Sequence, residues 1–248
     1  MVGYNRERRA GRCHRWFWLM QTNANVEAGA EGVLIPVGGV DVEGELVLPE
    51  QPIGIVLFAH GSGSSRHSPR NQFVARALRQ ARLGTLLFDL LTADEERSDA
   101  RTGHLRFDIT LLARRLSGAT RWVWAQPNTR SLQIGYFGSS TGAAAALAAA
   151  AGCGDRVSCV VSRGGRPDLA GSALEQVKAA TLLIVGGNDQ PVIDMNRTAF
   201  SRMRCEKAMQ VIPGATHLFE EPGALEQVAH LASDWFVKHF EPHPGQKP

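Results

Sequence analysis

The run Ile53–Ala59 is apolar without interruption, and this constrains the chain's fold more than any other feature. A strand with one face in water alternates polar and apolar residues. A strand with no polar residue is buried on both faces, as in a parallel sheet covered by helices. The rest of the chain repeats the theme. Val33–Val37 and Glu45–Leu48 read as short strands joined through Gly38-Gly39, a hairpin or meander. Thr85–Phe88, Leu132–Phe137, Val157–Val161, Thr181–Val185 and Met209–Ile212 read as further strands. Between them helical periods are predicted over Pro69–Arg82, Leu105–Trp124, Thr141–Ala151 and Gly223–Phe240, with a short helical stretch around Ala173–Ala179. Asp89–Gly103 reads as a charged loop. Strands alternating with helices give βαβ units, hence a mostly parallel central sheet with helices on both faces.

Composition fits one such domain. The 248 residues are 44% hydrophobic and 21% charged, an ordinary globular balance with material for a single core. The formal charge of +3 is local: residues 1–20 hold five arginines against Glu7 alone, and the body beyond them is close to neutral. A neutral body gives no electrostatic case for nucleic-acid binding. Cys13, Cys153, Cys159 and Cys205 have neither CxxC spacing nor a disulfide framework, which suits a cytoplasmic protein with reduced thiols. The apolar run Trp16–Met20 is shorter than a signal-peptide core, and no segment is long enough for a membrane span. Residues 1–30 are therefore expected to be a poorly ordered extension, with Met20 as a competing start. Residues 31–240 are expected to form the domain, and 241–248 a tail.

In an open α/β sheet the ligand lies at the carboxyl ends of the strands. His60-Gly61-Ser62-Gly63 follows the strand at Ile53–Ala59, and Gly138-Ser139-Ser140-Thr141-Gly142 follows Leu132–Phe137. Gly186-Gly187-Asn188-Asp189 follows Thr181–Val185, and Pro213-Gly214-Ala215-Thr216-His217 follows Met209–Ile212. A serine, an acid and a histidine thus each follow a separate strand, in that order. Residues 138–142 match G-x-S-x-G, in which the serine occupies a sharp, sparsely populated turn that bulky neighbours would obstruct. The helix after it directs its N–H groups and dipole at the site, where negative charge would develop. The His60 loop is not a phosphate loop, because no Gly-Lys-Ser/Thr follows and a G-x-G-x-x-G reading fails at Arg66. Its expected role is to supply the Ser62 N–H to an oxyanion, with the Thr141 N–H as second donor and His60 as a brace. Arg163 and Arg166, after Val157–Val161, are candidate ligands for a substrate carboxylate, unless they pair with the acidic loop.

These motifs resemble the α/β-hydrolase superfamily and, within it, the dienelactone hydrolase-like branch, over about residues 31–240. The resemblance implies an α/β-hydrolase fold, and the 20 residues from Val161 to Thr181 leave no room for a large cap domain. It also implies Ser140 as nucleophile, His217 as general base and Asp189 as orienting acid, ahead of Asp168 and Asp194, neither of which directly follows a strand. Dienelactone hydrolase itself carries cysteine at the nucleophile position, so Ser140 favours a serine-esterase mechanism on small carboxylic esters. No metal or organic cofactor is implied. The same three side chains could act in a peptidase, thioesterase or acyltransferase, and a non-catalytic binding protein is the rival from another class.

Overall fold

The computed structural model describes residues 29–240. The expectations for most of the N-terminal extension and for the tail at 241–248 lie outside the described residues. Eight strands form one sheet in the order β1-β2-β4-β3-β5-β6-β7-β8. They are β1 (Glu31–Val37), β2 (Val40–Val47), β3 (Gly54–Ala59), β4 (Leu83–Phe88), β5 (Ile134–Ser139), β6 (Cys159–Arg163), β7 (Ala180–Gly186) and β8 (Lys207–Ile212). β1 and β2 run antiparallel, as do β2 and β4; every pairing from β4 to β8 is parallel. The opening hairpin turns at Gly38 and Gly39, both at positive φ. β3 through β7 are buried along almost their whole length, as continuous apolar runs require.

Among the described residues six α-helices accompany the sheet: α1 (Pro69–Gln80), α2 (Ala93–Thr102), α3 (Ile109–Ala125), α4 (Thr141–Cys153), α5 (Gln190–Arg202) and α6 (Ala224–Phe240). One core packs Leu112, Leu116 and Val123 of α3 and the alanines of α4 against Leu57 and Tyr136. The other packs Val74 and Leu78 of α1 and Val228 and Phe236 of α6 against Phe58 and Phe137. After β4 the chain crosses from one side of β3 to the other before laying down β5. That reversal opens a crevice at the carboxyl ends of β3 and β5, where a ligand site is expected. The segment between β6 and β7 holds only 3₁₀ turns over Pro167–Gln176, broken at Gly171, and no cap domain.

Several boundaries differ from the sequence reading. The expected charged loop after β4 contains a helix. Thr92 Oγ1 accepts the Glu95 N–H at 3.2 Å while Glu95 Oε2 accepts the Thr92 N–H at 2.8 Å, and Gly103 ends α2 in the left-handed conformation. The helix expected from Leu105 begins at Ile109, because Asp108 caps it and Leu105–Phe107 is a separate 3₁₀ turn. α5 was not expected, although Pro191 in its first turn and buried Val192, Ile193, Asn196 and Ala199 mark it. β6 runs to Arg163, so that arginine ends a strand instead of lying in a loop. Among the described residues, no helix is long and apolar enough to cross a membrane.

Candidate active site

Ser140 sits where β5 gives way to α4, with φ 50° and ψ −122°. A non-glycine residue held there stores about 1–3 kcal/mol of strain, so the surroundings must enforce it. The Ser140 N–H donates to the Arg163 carbonyl at 3.3 Å, and its own carbonyl accepts from the N–H groups of Arg166 at 3.0 Å and Ala143 at 3.1 Å. The flanking glycines are needed for space. A Cβ on Gly138 would lie 2.5 Å from Ala143 Cα, and one on Gly142 would lie 2.1 Å from the Ala59 carbonyl oxygen.

β7 and β8 deliver the other two groups. Beyond β7 the Gly187 N–H donates to the Ile212 carbonyl at 2.8 Å, and the Asn188 N–H to that of Ala215 at 2.9 Å. This ties the turn before Asp189 to the turn before His217. His217 Nδ1 and Asp189 Oδ2 are hydrogen-bonded at 2.8 Å. The competing acids are engaged elsewhere: Asp194 with Gln190 and Arg197, Asp168 with Arg166. The turn after β6 joins the two halves, since it bonds the Ser140 backbone and brings Gly164 to 3.6 Å (measured from an ideal Cβ) from His217 Cε1.

The loop after β3 is fixed at both ends. His60 Nδ1 donates to the Gly61 carbonyl at 3.0 Å and its Nε2 accepts the Leu90 N–H at 3.0 Å. Burial holds the imidazole below its ordinary pKa, against smaller upward contributions from the Gly61 carbonyl, Asp89 and Glu96, so it stays neutral and braces the loop. The Arg66 N–H donates to Asp89 Oδ1 at 2.8 Å, and its guanidinium pairs with both Asp89 and Glu43. Sequence reasoning missed this clamp, because Asp89 and Glu43 are brought to Arg66 only by the β2–β4 pairing. The Ser62 N–H donates to Thr141 Oγ1 at 3.0 Å. That N–H is therefore already engaged, by the hydroxyl of the residue expected to supply the second oxyanion donor. Beside the loop lies a cavity of about 320 Å³, lined by Ser62, Ser64, Ser65, Leu90, Leu91 and Leu112 and closed by Glu96 and Asp99 of α2.

The two arginines after Val161 part company. Arg166 donates Nε and Nη2 to Asp168 at 2.9 and 2.8 Å, not to the acidic segment after β4. Arg163 is buried, and its Nε and Nη1 make no hydrogen bond among the described residues. Burial, with the like charge of Arg70 adding to it, brings its pKa down to about 10, which still leaves it protonated at neutral pH.

A mostly parallel sheet covered on both faces, with a serine forced into a strained turn at its topological reversal, puts the chain in the α/β-hydrolase class. The chain belongs to the dienelactone hydrolase family, whose model matches residues 74–241. A solved dienelactone hydrolase from Anabaena variabilis is 60% identical, with a TM-score of 0.83, over 85% of this chain and 97% of that one. Est1E from Butyrivibrio proteoclasticus shares the fold at 13% identity and a TM-score of 0.71, over 85% of this chain and 99% of its own. A Mycobacterium tuberculosis protein provisionally named a phosphoribosyl transferase is 58% identical over 210 residues, 85% of this chain. The match covers 46% of that relative, so this chain spans about half the length of the curated relatives it matches.

Proposed function

We propose that the chain hydrolyses small carboxylic esters through an acyl-enzyme on Ser140. The observation that carries this reading is the 2.8 Å bond between His217 Nδ1 and Asp189 Oδ2, in a chain whose Ser140 is held at φ 50° at the end of β5. With Nδ1–H donated to the carboxylate, Nε2 is the basic nitrogen. It takes the Ser140 proton as Oγ bonds to the ester carbonyl carbon, and Asp189 stabilises the imidazolium. The proton then passes to the departing alkoxide, and a water activated by the same nitrogen releases the acid.

The carbonyl oxygen, negative in the tetrahedral intermediate, is assigned to the N–H groups of Ser62 and Thr141. Thr141 is the first residue of α4, where a helix N–H has no intrahelical partner. The Ser62 N–H exchanges its bond to Thr141 Oγ1 for the oxyanion, and until then the hydroxyl holds it in a hydrogen bond to the residue after Ser140. Cys153, Cys159 and Cys205 are free thiols, which suits the reducing cytoplasm included in this proposal. The test is labelling with a fluorophosphonate probe and mapping the modified peptide, together with turnover of p-nitrophenyl esters, acyl-CoAs and aminoacyl amides. Modification at Ser140 and turnover of the esters are the expected results. Labelling elsewhere, or preference for the thioesters or amides, overturns the reading.

A further inference from the structure

Arg163 ends β6 directly beside the nucleophile turn: it pairs with Ser139 across the sheet, and its carbonyl accepts the Ser140 N–H. Its guanidinium carbon lies 6.0 Å from the centroid of the Phe219 ring, two residues past His217. Arg70, in the first turn of α1 and paired with Glu220 next to that ring, sets a like charge against it. A buried guanidinium ordinarily has a carboxylate or several carbonyls. Here Nε and Nη1 of Arg163 and Nε of Arg70 are buried without acceptors among the described residues. Of the acids in the segment after Phe219, Glu220 takes Arg70 Nη1 at 2.9 Å in an open pair, and Glu221 accepts from Thr216 and leaves its buried Oε2 without a partner among the described residues, so neither is hydrogen-bonded to Arg163. The first turn of α1 holds no acidic residue, so its dipole adds positive potential to the same corner.

We propose that Arg163 and Arg70 form a subsite for a phosphoryl group carried by the ester substrate. This rests on the ester-hydrolase reading above and names the substrate class within it. Two features select phosphoryl over carboxylate. The unpaired donors come from two guanidinium groups instead of one planar fork, which suits three tetrahedral oxygens better than two coplanar ones. The charge also matches: an uncompensated Arg163, an Arg70 only loosely held by Glu220, and a helix N-terminus face a group carrying about −1.5 to −2. The Arg70 side chain is partly open to solvent, so the corner borders the surface. Arg166 has no part in the subsite, because Asp168 holds it.

The experiment uses calorimetry with inorganic phosphate and, separately, succinate on the Ser140→Ala protein, so it needs no turnover and can succeed or fail independently of the esterase reading. Phosphate is expected to bind, and succinate to bind more weakly. Loss of charge-assisted hydrogen bonds should weaken phosphate about tenfold to hundredfold in Ser140→Ala/Arg163→Gln. Arg163→Lys should restore part of the affinity. Should Arg163→Gln fail to fold, Arg70→Gln, at a more open position, should weaken phosphate at least threefold. In the wild-type protein phosphate should raise KM for p-nitrophenyl butyrate and leave kcat unchanged. Phosphate binding that is absent, unaffected by both substitutions, or weaker than that of succinate overturns the proposal.

Discussion

On the β4 side of Ser140 the polar groups are spent on one another; on the α1 side they are not. In the loop after β3, His60 binds Leu90, Arg66 binds Asp89 and Glu43, and the Ser62 N–H binds Thr141. At the corner of Arg163 and Arg70, three guanidinium nitrogens are buried without acceptors among the described residues. Satisfied buried donors fix geometry, whereas unsatisfied ones are costly unless something arrives to bind them. The first flank is built to hold atoms in place during a reaction. The second is built to receive a group. Ser140 lies between them, and substitutions can separate the two roles.

The largest effect is expected where the flanks meet. Ser140→Ala should lower kcat/KM for p-nitrophenyl butyrate by about a thousandfold or more, with the urea midpoint unchanged within error. Ser139→Ala should stay within about tenfold of wild type. Activity of Ser140→Ala within tenfold of wild type would remove the site from between the two flanks altogether. Next in size is Gly142→Ala, whose Cβ would lie 2.1 Å from the Ala59 carbonyl oxygen and push α4 off β3. A destabilisation of about 3 kcal/mol or more in urea unfolding is expected, in line with overpacking against backbone that cannot yield. Gly152→Ala, with nothing within 4 Å near the exposed end of α4, should stabilise slightly. Equal effects at the two glycines would show that the close approach of α4 to β3 is not needed.

His60 gives the pH test of the braced flank. Its folded pKa is held down by burial, so below about 6.5 the unfolded chain binds a proton that the folded protein refuses. Stability from this source is complete above that pH and falls as the pH drops through it. Urea unfolding at pH 8, 6.5 and 5 should show the decline in the wild type. His60→Asn should be less stable at pH 8 and show a flatter decline. A wild type as stable at pH 5 as at pH 8 would mean that His60 is not held neutral in the brace.

Much of this contrast was legible in the sequence, but unevenly. Ser140, Asp189 and His217 could be singled out as candidates because a parallel sheet places whatever follows each strand at one edge, and apolar runs mark the strands. α2 was lost because only Asp99 of its ten residues is buried, so it carries no apolar period; its signal was the Thr92-x-x-Glu95 capping box. Arg163 and Arg166 look alike in Ser-Arg-Gly-Gly-Arg-Pro-Asp. One is satisfied by an aspartate two residues away, whereas the other ends a buried strand with Nε and Nη1 lacking acceptors among the described residues, a difference set by strand length and packing. The Arg66 clamp depends on a long-range strand pairing that no local pattern reports.

The smallest effect concerns acyl length, and it tests whether α2 is a wall or only a neighbour. The cavity beside the loop after β3 has apolar surface from Leu90, Leu91 and Leu112, but it is also lined by Ser62, Ser64, Ser65, Glu96 and the Asp99–Arg106 pair. An acyl chain gains about 0.8 kcal/mol, roughly fourfold in rate, for each methylene laid on the leucines. It gains nothing once it reaches the polar lining. kcat/KM along a p-nitrophenyl ester series should therefore rise to about four to six carbons and then level or fall, judged from that burial per methylene. Glu96 is exposed and makes no part of the proposed chemistry, so Glu96→Leu should move the break to longer chains. If the break stays where it is, the acyl chain does not run along α2 and belongs on the flank of Arg163. If the rate keeps climbing to palmitate, or jumps above the critical micelle concentration, α2 swings aside as a lid, and the braced flank is less rigid than its hydrogen bonds imply.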